Sequence, residues 1–377
     1  MKNKLCNWLL GMVLLAGIPS ATAQLPLISA FSQNGLLTCT NLPGGSKVTV
    51  AWASSLAGPW QTNWSGLTAI SASSNGTLQV SVPMFYRLLV VATNAAGNNS
   101  PVPAGMVAIP AGTFTMGDAQ DGESDAIPTN IYVSSFYMDT NLVSYGLWQA
   151  VYAYALNNGY GFDNAGSGKA ANHPVQTVSW YDCVKWCNAR SQQAGLTPAY
   201  YTDAGLTQVY AYGDAVPYVN WNANGYRLPT EAEWEQAARG GLSGKRFPWG
   251  NTITESQANY YADPASFAYD LSPYEGNNAL FETGASPYTS PAGSFAPNGY
   301  GLFDMAGNVG EWCWDWYGTP YGQPTNTNPT GPATGDYHLT RGGNWNHEPN
   351  LLRCANRVFV LTPLAYDYIG FRCVRGH

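Results

Sequence analysis

Seven cysteines, four histidines and 23 acidic residues are the groups in this 377-residue chain that could bind a metal, supply a nucleophile or move a proton. Cys6 lies among the first residues. The other six, Cys39, Cys183, Cys187, Cys313, Cys354 and Cys373, include no C-x-x-C pair. Zinc-ribbon spacing is therefore absent, and disulfides or buried thiols are expected instead. His173, His338, His347 and His377 are too few for a three-histidine iron site unless nearly all are used. Asp118, Asp121, Glu123 and Asp125 hint at calcium but fail EF-hand spacing, so they read as a solvated acidic loop. No G-x-S-x-G elbow, H-E-x-x-H helix, phosphate loop or dinucleotide fingerprint occurs.

The elements that would position these groups are marked by their start signals. Ser179 followed by Asp182 predicts a helix running to about Gln193, where Gly195 stops it. It carries Cys183 and Cys187 four apart on one face. Thr230 and Glu233 form a T-x-x-E capping box for a second helix that ends at Gly240-Gly241. Glu231, Glu233 and Glu235 invite a catalytic reading, but caps and helix dipoles ask for the same residues, and the structural role is preferred.

Around these helices the chain divides into four parts. Lys2 and Lys4 precede an apolar stretch from Trp8 to Ile18 and the small-residue triplet Ala21-Thr22-Ala23, so residues 1–23 read as a removed signal peptide. Residues 24–91 alternate apolar and polar positions, as in Lys47–Trp52 and Leu78–Val82, with turns expected at Gly44-Gly45 and Asn75-Gly76; this is a small all-β module. Residues 92–105 have linker composition. Residues 106–377 are dense in Trp and Gly, with few helices and no fixed-period repeat. No later segment is long enough to span a bilayer.

Charged residues make up 10% of the chain and its net charge is -7, without a basic run, which argues against nucleic acid or anionic membranes as partners. A neutral-polar surface behind a signal peptide points to a secreted, periplasmic or extracellular location.

Several strings occur together in one order: MVAIPAGTFTMG at 106–117, HPV at 173–175 leading to VSW at 178–180, YRLPTEAEWE at 226–235, FPWG at 247–250, NGYGLFDMAGNV at 298–309, RGG at 341–343 and GFR at 370–372. In combination they resemble the formylglycine-generating enzyme, or sulfatase-modifying factor, superfamily over about residues 105–376. The resemblance implies an irregular α+β fold related to the C-type-lectin-like fold, here preceded by the small all-β module. It implies structural calcium held by the side chain of Asp304, the carbonyls of Gly307 and Val309, and Glu311, and a second site using the Asn259 side chain and the Tyr260 carbonyl, with Glu282 as a guess for its carboxylate. It pairs Cys187 with Cys373. Cys354 matches half of another family disulfide whose usual partner position is Ala238, leaving Cys313 as an alternative partner.

The match breaks where the family's chemistry resides. Two cysteines beyond the Arg-Gly-Gly segment bind copper(I) in the genuine enzymes, soft thiolates suiting that ion. Here the first position is His347 and the second is Leu352 in one register or Pro349 in the other. The family serine is Asn344, and a family tryptophan is Gly310. Three function classes stay open: a calcium-stabilised binding or structural protein that holds a peptide, protein or glycan on loops rich in Trp312, Trp314, Trp316 and Trp345; an oxidoreductase with another redox metal at His347; and a formylglycine generator acting on sulfatases.

Overall fold

The structure, a computed structural model, describes residues 102–319, 321 and 325–376, together with 27–31, 36–40, 42, 47–52, 70–81 and 86–91. The predicted signal peptide, the Gly44-Gly45 turn and most of the predicted linker lie outside the described residues. The chain forms two compact units, Met1–Pro101 and Val102–His377.

In the first unit, β1 (Leu27–Phe31), β2 (Leu36–Thr40) and β5 (Leu78–Ser81) form one antiparallel sheet in the order β1-β2-β5. β3 (Lys47–Trp52), β4 (Ile70–Ser71) and β6 (Tyr86–Val91) form another in the order β4-β3-β6. The alternating runs thus become strands. The Asn75-Gly76 turn joins β4 to β5, which belong to different sheets, so it carries the chain between sheets and closes no hairpin.

Among the described residues the second unit carries three α-helices and a series of short strands. β7 (Met106–Ile109), β10 (Phe136–Asp139) and β19 (Val374–Gly376) pair in the order β19-β10-β7, which puts the last residues and the first strand of the unit on either side of β10. β8 (Gly112–Met116) and β9 (Thr129–Val133) form a hairpin; β11 (Tyr200–Tyr201) pairs with β12 (Tyr218–Val219), and β13 (Tyr261–Ala262) with β14 (Gly276–Asn277). The largest sheet joins β15 (Gly310–Trp316), β16 (Tyr337–Arg341), β17 (Val358–Leu361) and β18 (Ile369–Gly370) in the order β17-β16-β15-β18.

α2 (Trp180–Gln193) and α3 (Glu231–Arg239) start where their caps predict. Ser179 and Asp182 form a complete capping box, as do Thr230 and Glu233, and α3 ends at left-handed Gly240. α1 (Tyr145–Leu156) carries no acidic residue in its first turn and is capped by Ser144 alone, so its start leaves a weaker signature. α1 and α2 bury Trp148, Trp180 and Trp186 with Trp312 in one apolar cluster, while α3 packs Trp234 in a second. Among the described residues no helix is long and apolar enough to cross a membrane.

Candidate functional site

The floor of the site is α3. Its three glutamates are buried, and each is held by arginine. Glu233 takes a bidentate pair from Arg227 at 2.6 and 2.6 Å. Glu231 takes Arg357 at 2.6 and 2.9 Å and Arg341 at 3.2 Å. Glu235 accepts from Arg341, from Arg239 at 2.7 Å and from the Gly117 amide at 2.7 Å. Buried charges are tolerated only when paired and hydrogen-bonded in this way. The arginine of the Arg-Gly-Gly string is thereby bolted to the helix, with its guanidinium also donating to the Cys354 carbonyl at 2.6 Å.

Above this floor the altered loop leaves its polar groups largely to itself. Asn344 is buried and its side-chain oxygen accepts from the Asn346 amide at 2.9 Å. The His347 amide donates to the Asn344 carbonyl at 3.1 Å, and the His347 carbonyl accepts from Tyr261 at 3.0 Å. The imidazole Nδ1 of His347 is buried without a hydrogen-bond partner, and burial lowers its pKa to about 4, so the ring is neutral at physiological pH. The nearby aromatic ring is Tyr368, 6.3 Å away between centroids. Pro349 opens a 3₁₀ turn ending at Leu352, and Leu352 is packed in an apolar cluster with Phe247, Ile253 and Tyr260. Neither register therefore puts a ligating side chain at the second cysteine position. Gly310 donates its amide to Tyr368 at 2.9 Å, and a Cβ there would meet only Thr340 and the Tyr368 carbonyl at 3.7 Å.

The remaining cysteines are core residues. All six described are free and buried. Cys313 and Cys354 share the α3 cluster with Ala238, and burial pushes the Cys354 thiol up to about 12 and that of Cys313 well above its ordinary value. Cys187 and Cys373 bring their sulfurs to 3.6 Å, adjacent but not bonded. The predicted pair meets, therefore, as two thiols.

The Asp304–Glu311 segment holds the residues expected to bind calcium. Glu311, whose charge invites a cation, is paired with Arg372 of the Gly-Phe-Arg string at 2.7 and 2.9 Å. Asp304 has one oxygen accepting from the Gly293 amide at 2.6 Å and the other buried without a partner. Burial, reinforced by Glu311 and opposed by that amide and by Arg372, raises its carboxyl to about 6. Gly307 is left-handed, and a Cβ there would lie 2.3 Å from the Asn259 carbonyl, so this crossing requires glycine. The crossing is pinned by Gly307 N to Gly342 O at 2.8 Å, Asn308 N to Asn259 O at 2.8 Å and Trp345 N to Asn308 O at 3.0 Å, none of which uses the Gly307 or Val309 carbonyls. The residues fit a hard cation in part: Asp304 offers an unclaimed oxygen, while both oxygens of Glu311 already accept from arginine. At the second predicted site the Asn259 amide donates to the Tyr288 carbonyl at 2.8 Å, the Tyr260 hydroxyl donates to Asp270 at 2.7 Å, and Glu282 accepts from Asn277 at 3.1 Å.

Two further expectations are overturned. Trp312 and Trp316 are core residues, not a concave surface: Trp312 donates to the Val178 carbonyl at 3.0 Å, and Trp316 stacks on buried His338, whose other face meets Trp180 at 3.9 Å. Trp345 is buried as well, against Tyr288. The acidic loop is not simply solvated. Asp118, Asp121 and Glu123 surround Arg353, which has no exposed side-chain surface, and Asp121 also pairs with Arg246 at 3.0 Å. Arg353, Arg357 and Arg372 are thus the functional scaffold residues that sequence reasoning missed, although Arg372 stood in a quoted string.

Residues 92–377 match the sulfatase-modifying factor enzyme 1-like domain. The chain is 32% identical over 293 residues to the formylglycine-generating enzyme of Mus musculus, covering 72% of this chain and 75% of that protein. It is 30% identical over 261 residues to the chaperone protein LppX of Paenibacillus barcinonensis, covering 67% of this chain and 82% of that protein. Among solved structures it is similar to Treponema denticola variable protein 1, with a TM-score of 0.56 and 28% identity over 72% of this chain and 95% of that one. With the arginine-clamped helix, the Arg-Gly-Gly loop and the Gly-Phe-Arg strand all in place, the chain belongs to the sulfatase-modifying factor (formylglycine-generating enzyme) family.

Proposed function

We propose that the protein is an exported, calcium-stabilised binding member of this family, on a fold related to the C-type-lectin-like fold, and that it does not generate formylglycine. One observation carries the reading: the loop between Gly343 and Cys354 offers His347, Pro349 and Leu352 where two thiolates are needed to hold copper(I), and Leu352 is committed to the apolar core. Cys354 and Cys313 are buried in the apolar cluster around α3, so neither presents its sulfur on that loop. Relatives that carry names other than formylglycine-generating enzyme, LppX and variable protein 1, agree with a family whose scaffold serves more than one purpose. Export rests on the pattern of residues 1–23. Calcium would be held by Asp304 and the carbonyls of Gly307 and Val309, with Glu311 shared with Arg372 and Asn259 and Tyr260 at a second position; its contribution is to stability. The ligand is a peptide, protein or glycan.

A second reading, an oxidoreductase with a different redox metal, is favoured by the neutral, unpartnered Nδ1 of His347 at the first cysteine position. One experiment separates the two. The mature chain is incubated with a cysteine-containing sulfatase-motif peptide, copper and oxygen, and the peptide is analysed by mass spectrometry. The binding reading expects no aldehyde; repeated turnovers lost in His347→Ala would replace it with a rebuilt metal centre.

A further inference from the structure

Between α2 and α3 the chain runs through residues 195–226, far more than a helix connection needs. The outer part of this excursion carries Tyr212, 78% exposed, and Val216, 46% exposed. Tyr212 is nonetheless seated. Its ring lies against Gly161, where a Cβ would come within 2.4 Å of the ring, and the Gly161 amide donates to the Ala211 carbonyl at 3.0 Å. Glycine at 161 thus lets the Cδ2–Cε2 edge of the ring rest on backbone while the rest of the side chain is presented to solvent.

The same two loops supply two exposed acidic side chains. Asp163, two residues from Gly161, and Asp214, two residues from Tyr212, are 56% and 46% exposed. Both reach Lys185 of α2, at 3.3 and 3.5 Å, while Asp182 lies 3.9 Å from the same ammonium. Lys185 is buried and also donates to the Gly213 carbonyl at 3.3 Å, so it cannot move outward to meet more charge. The oxygens of Asp182 are occupied by the helix cap, the Asp163 amide and Asn164. Three carboxylates therefore share one ammonium, and the two that are exposed belong to the two loops that meet where Tyr212 rests on Gly161. Burial first, then a side-chain hydrogen bond with Asp163 and the charge of that carboxylate, push the Asp214 carboxyl above its ordinary value, opposed by Lys185.

We propose that the face formed by Tyr212, Asp163 and Asp214 receives a lysine or arginine side chain of a partner polypeptide. The occupant follows from charge complementarity: a cation over the tyrosine ring gains from its quadrupole and meets two exposed carboxylates that the protein itself leaves short of positive charge. A neutral sugar could stack on the ring but would leave that imbalance in place, and an anion is repelled. Each contact at such an exposed site is weak and screened by salt, so the partner is a basic segment with several such residues. The proposal rests on the binding reading above and names its surface and partner class.

The test titrates the mature chain with a labelled oligolysine peptide and follows fluorescence anisotropy at low and high ionic strength, with an oligoglutamate peptide and a neutral oligosaccharide as alternative probes. Oligolysine is expected to bind at low salt and to weaken as salt is added. Tyr212→Ala and Asp214→Asn should each weaken it roughly fivefold, the loss of one such contact, while Asp336→Asn, at an exposed carboxylate elsewhere, leaves it unchanged. Both targeted side chains are largely exposed, and unchanged melting of the variants checks that they fold. No binding of oligolysine, equal loss with Asp336→Asn, or saccharide binding that is lost with Tyr212→Ala while oligolysine binding is not, overturns the proposal. The aldehyde assay reads the loop at His347 and this titration reads the Asp163/Asp214 face, so either reading can fail alone.

Discussion

Arg341 and His347 are six residues apart, yet they sit in opposite electrostatic conditions. Arg341 has no exposed side-chain surface and is answered by Glu231, Glu235 and the carbonyls of Ala355 and Cys354. The ring of His347 is partly exposed and its Nδ1 has no partner. The difference teaches where the family's structural demands end. A buried guanidinium that loses a partner leaves an uncompensated charge, so the network around α3 tolerates little change. A neutral imidazole leaves no uncompensated charge behind, and its unpartnered nitrogen costs less than a stranded guanidinium or carboxylate. Substitution of the chemistry-bearing positions could therefore proceed without dismantling the scaffold.

The comparison can be sharpened in order of expected effect. If Cys187 and Cys373 close a disulfide in exported material, a loop with a sequence separation of 186 residues is cross-linked. The chain-entropy estimate is then about 5 kcal/mol of stability removed by reduction. Peptide mapping without reductant decides whether the bond exists, and two free thiols in exported protein would remove this part of the scaffold argument.

Next, Arg341→Ala should cost about 3–5 kcal/mol, because Glu235 and Glu231 lose a buried counter-charge. Urea unfolding measures it. A loss below about 1 kcal/mol would mean that the network is far less demanding than its geometry implies.

Asp304 offers a third test with a defined sign. Its carboxyl is raised to about 6, so the metal-free folded state binds the proton more tightly than the unfolded chain does. The resulting stability is fully present below about pH 4 and lost as pH rises through 6, a change of about 3 kcal/mol. Measured with chelator as the difference between the parent and Asp304→Asn, stability should fall across that window. Calcium, by holding the ionised form, should flatten the fall and raise the melting temperature of the parent alone. Identical melts with and without chelator would remove calcium from Asp304.

The smallest effect belongs to the altered loop. His347→Ala should change stability near neutral pH by less than about 1 kcal/mol. The His347 pKa is lowered to about 4, so its contribution is present above about pH 6.5 and is lost as pH falls through 4, opposite in sign to Asp304. The variant should show a shallower acid limb than the parent. A neutral-pH loss as large as that of Arg341→Ala would erase the contrast between scaffold and loop.

Much of this architecture is legible locally. Ser179 with Asp182 and Thr230 with Glu233 announce α2 and α3 because a cap is a contact between neighbours in sequence, satisfied wherever the helix ends up. The alternation in Lys47–Trp52 and Leu78–Ser81 declares strands for the same reason. That no cysteine stands between Gly343 and Cys354 is likewise a matter of residue identity alone. Which sheet each strand joins is not: the Asn75-Gly76 turn has the residues of a hairpin but links two sheets.

Tertiary structure decided everything that depends on which distant charge answers which. The carboxylates at 118–123 look solvated until Arg353, more than 200 residues later, is folded among them. Glu311 asks for a cation, and either a calcium ion or a guanidinium satisfies that request; only the chain path that lays β18 beside β15 supplies Arg372. Trp312, which could have lined a surface, became core because α1, α2 and β15 pack together around it. Caps and alternation act over one turn or one pleat, whereas the pairing of buried charges is settled by the low-dielectric interior that folding itself creates.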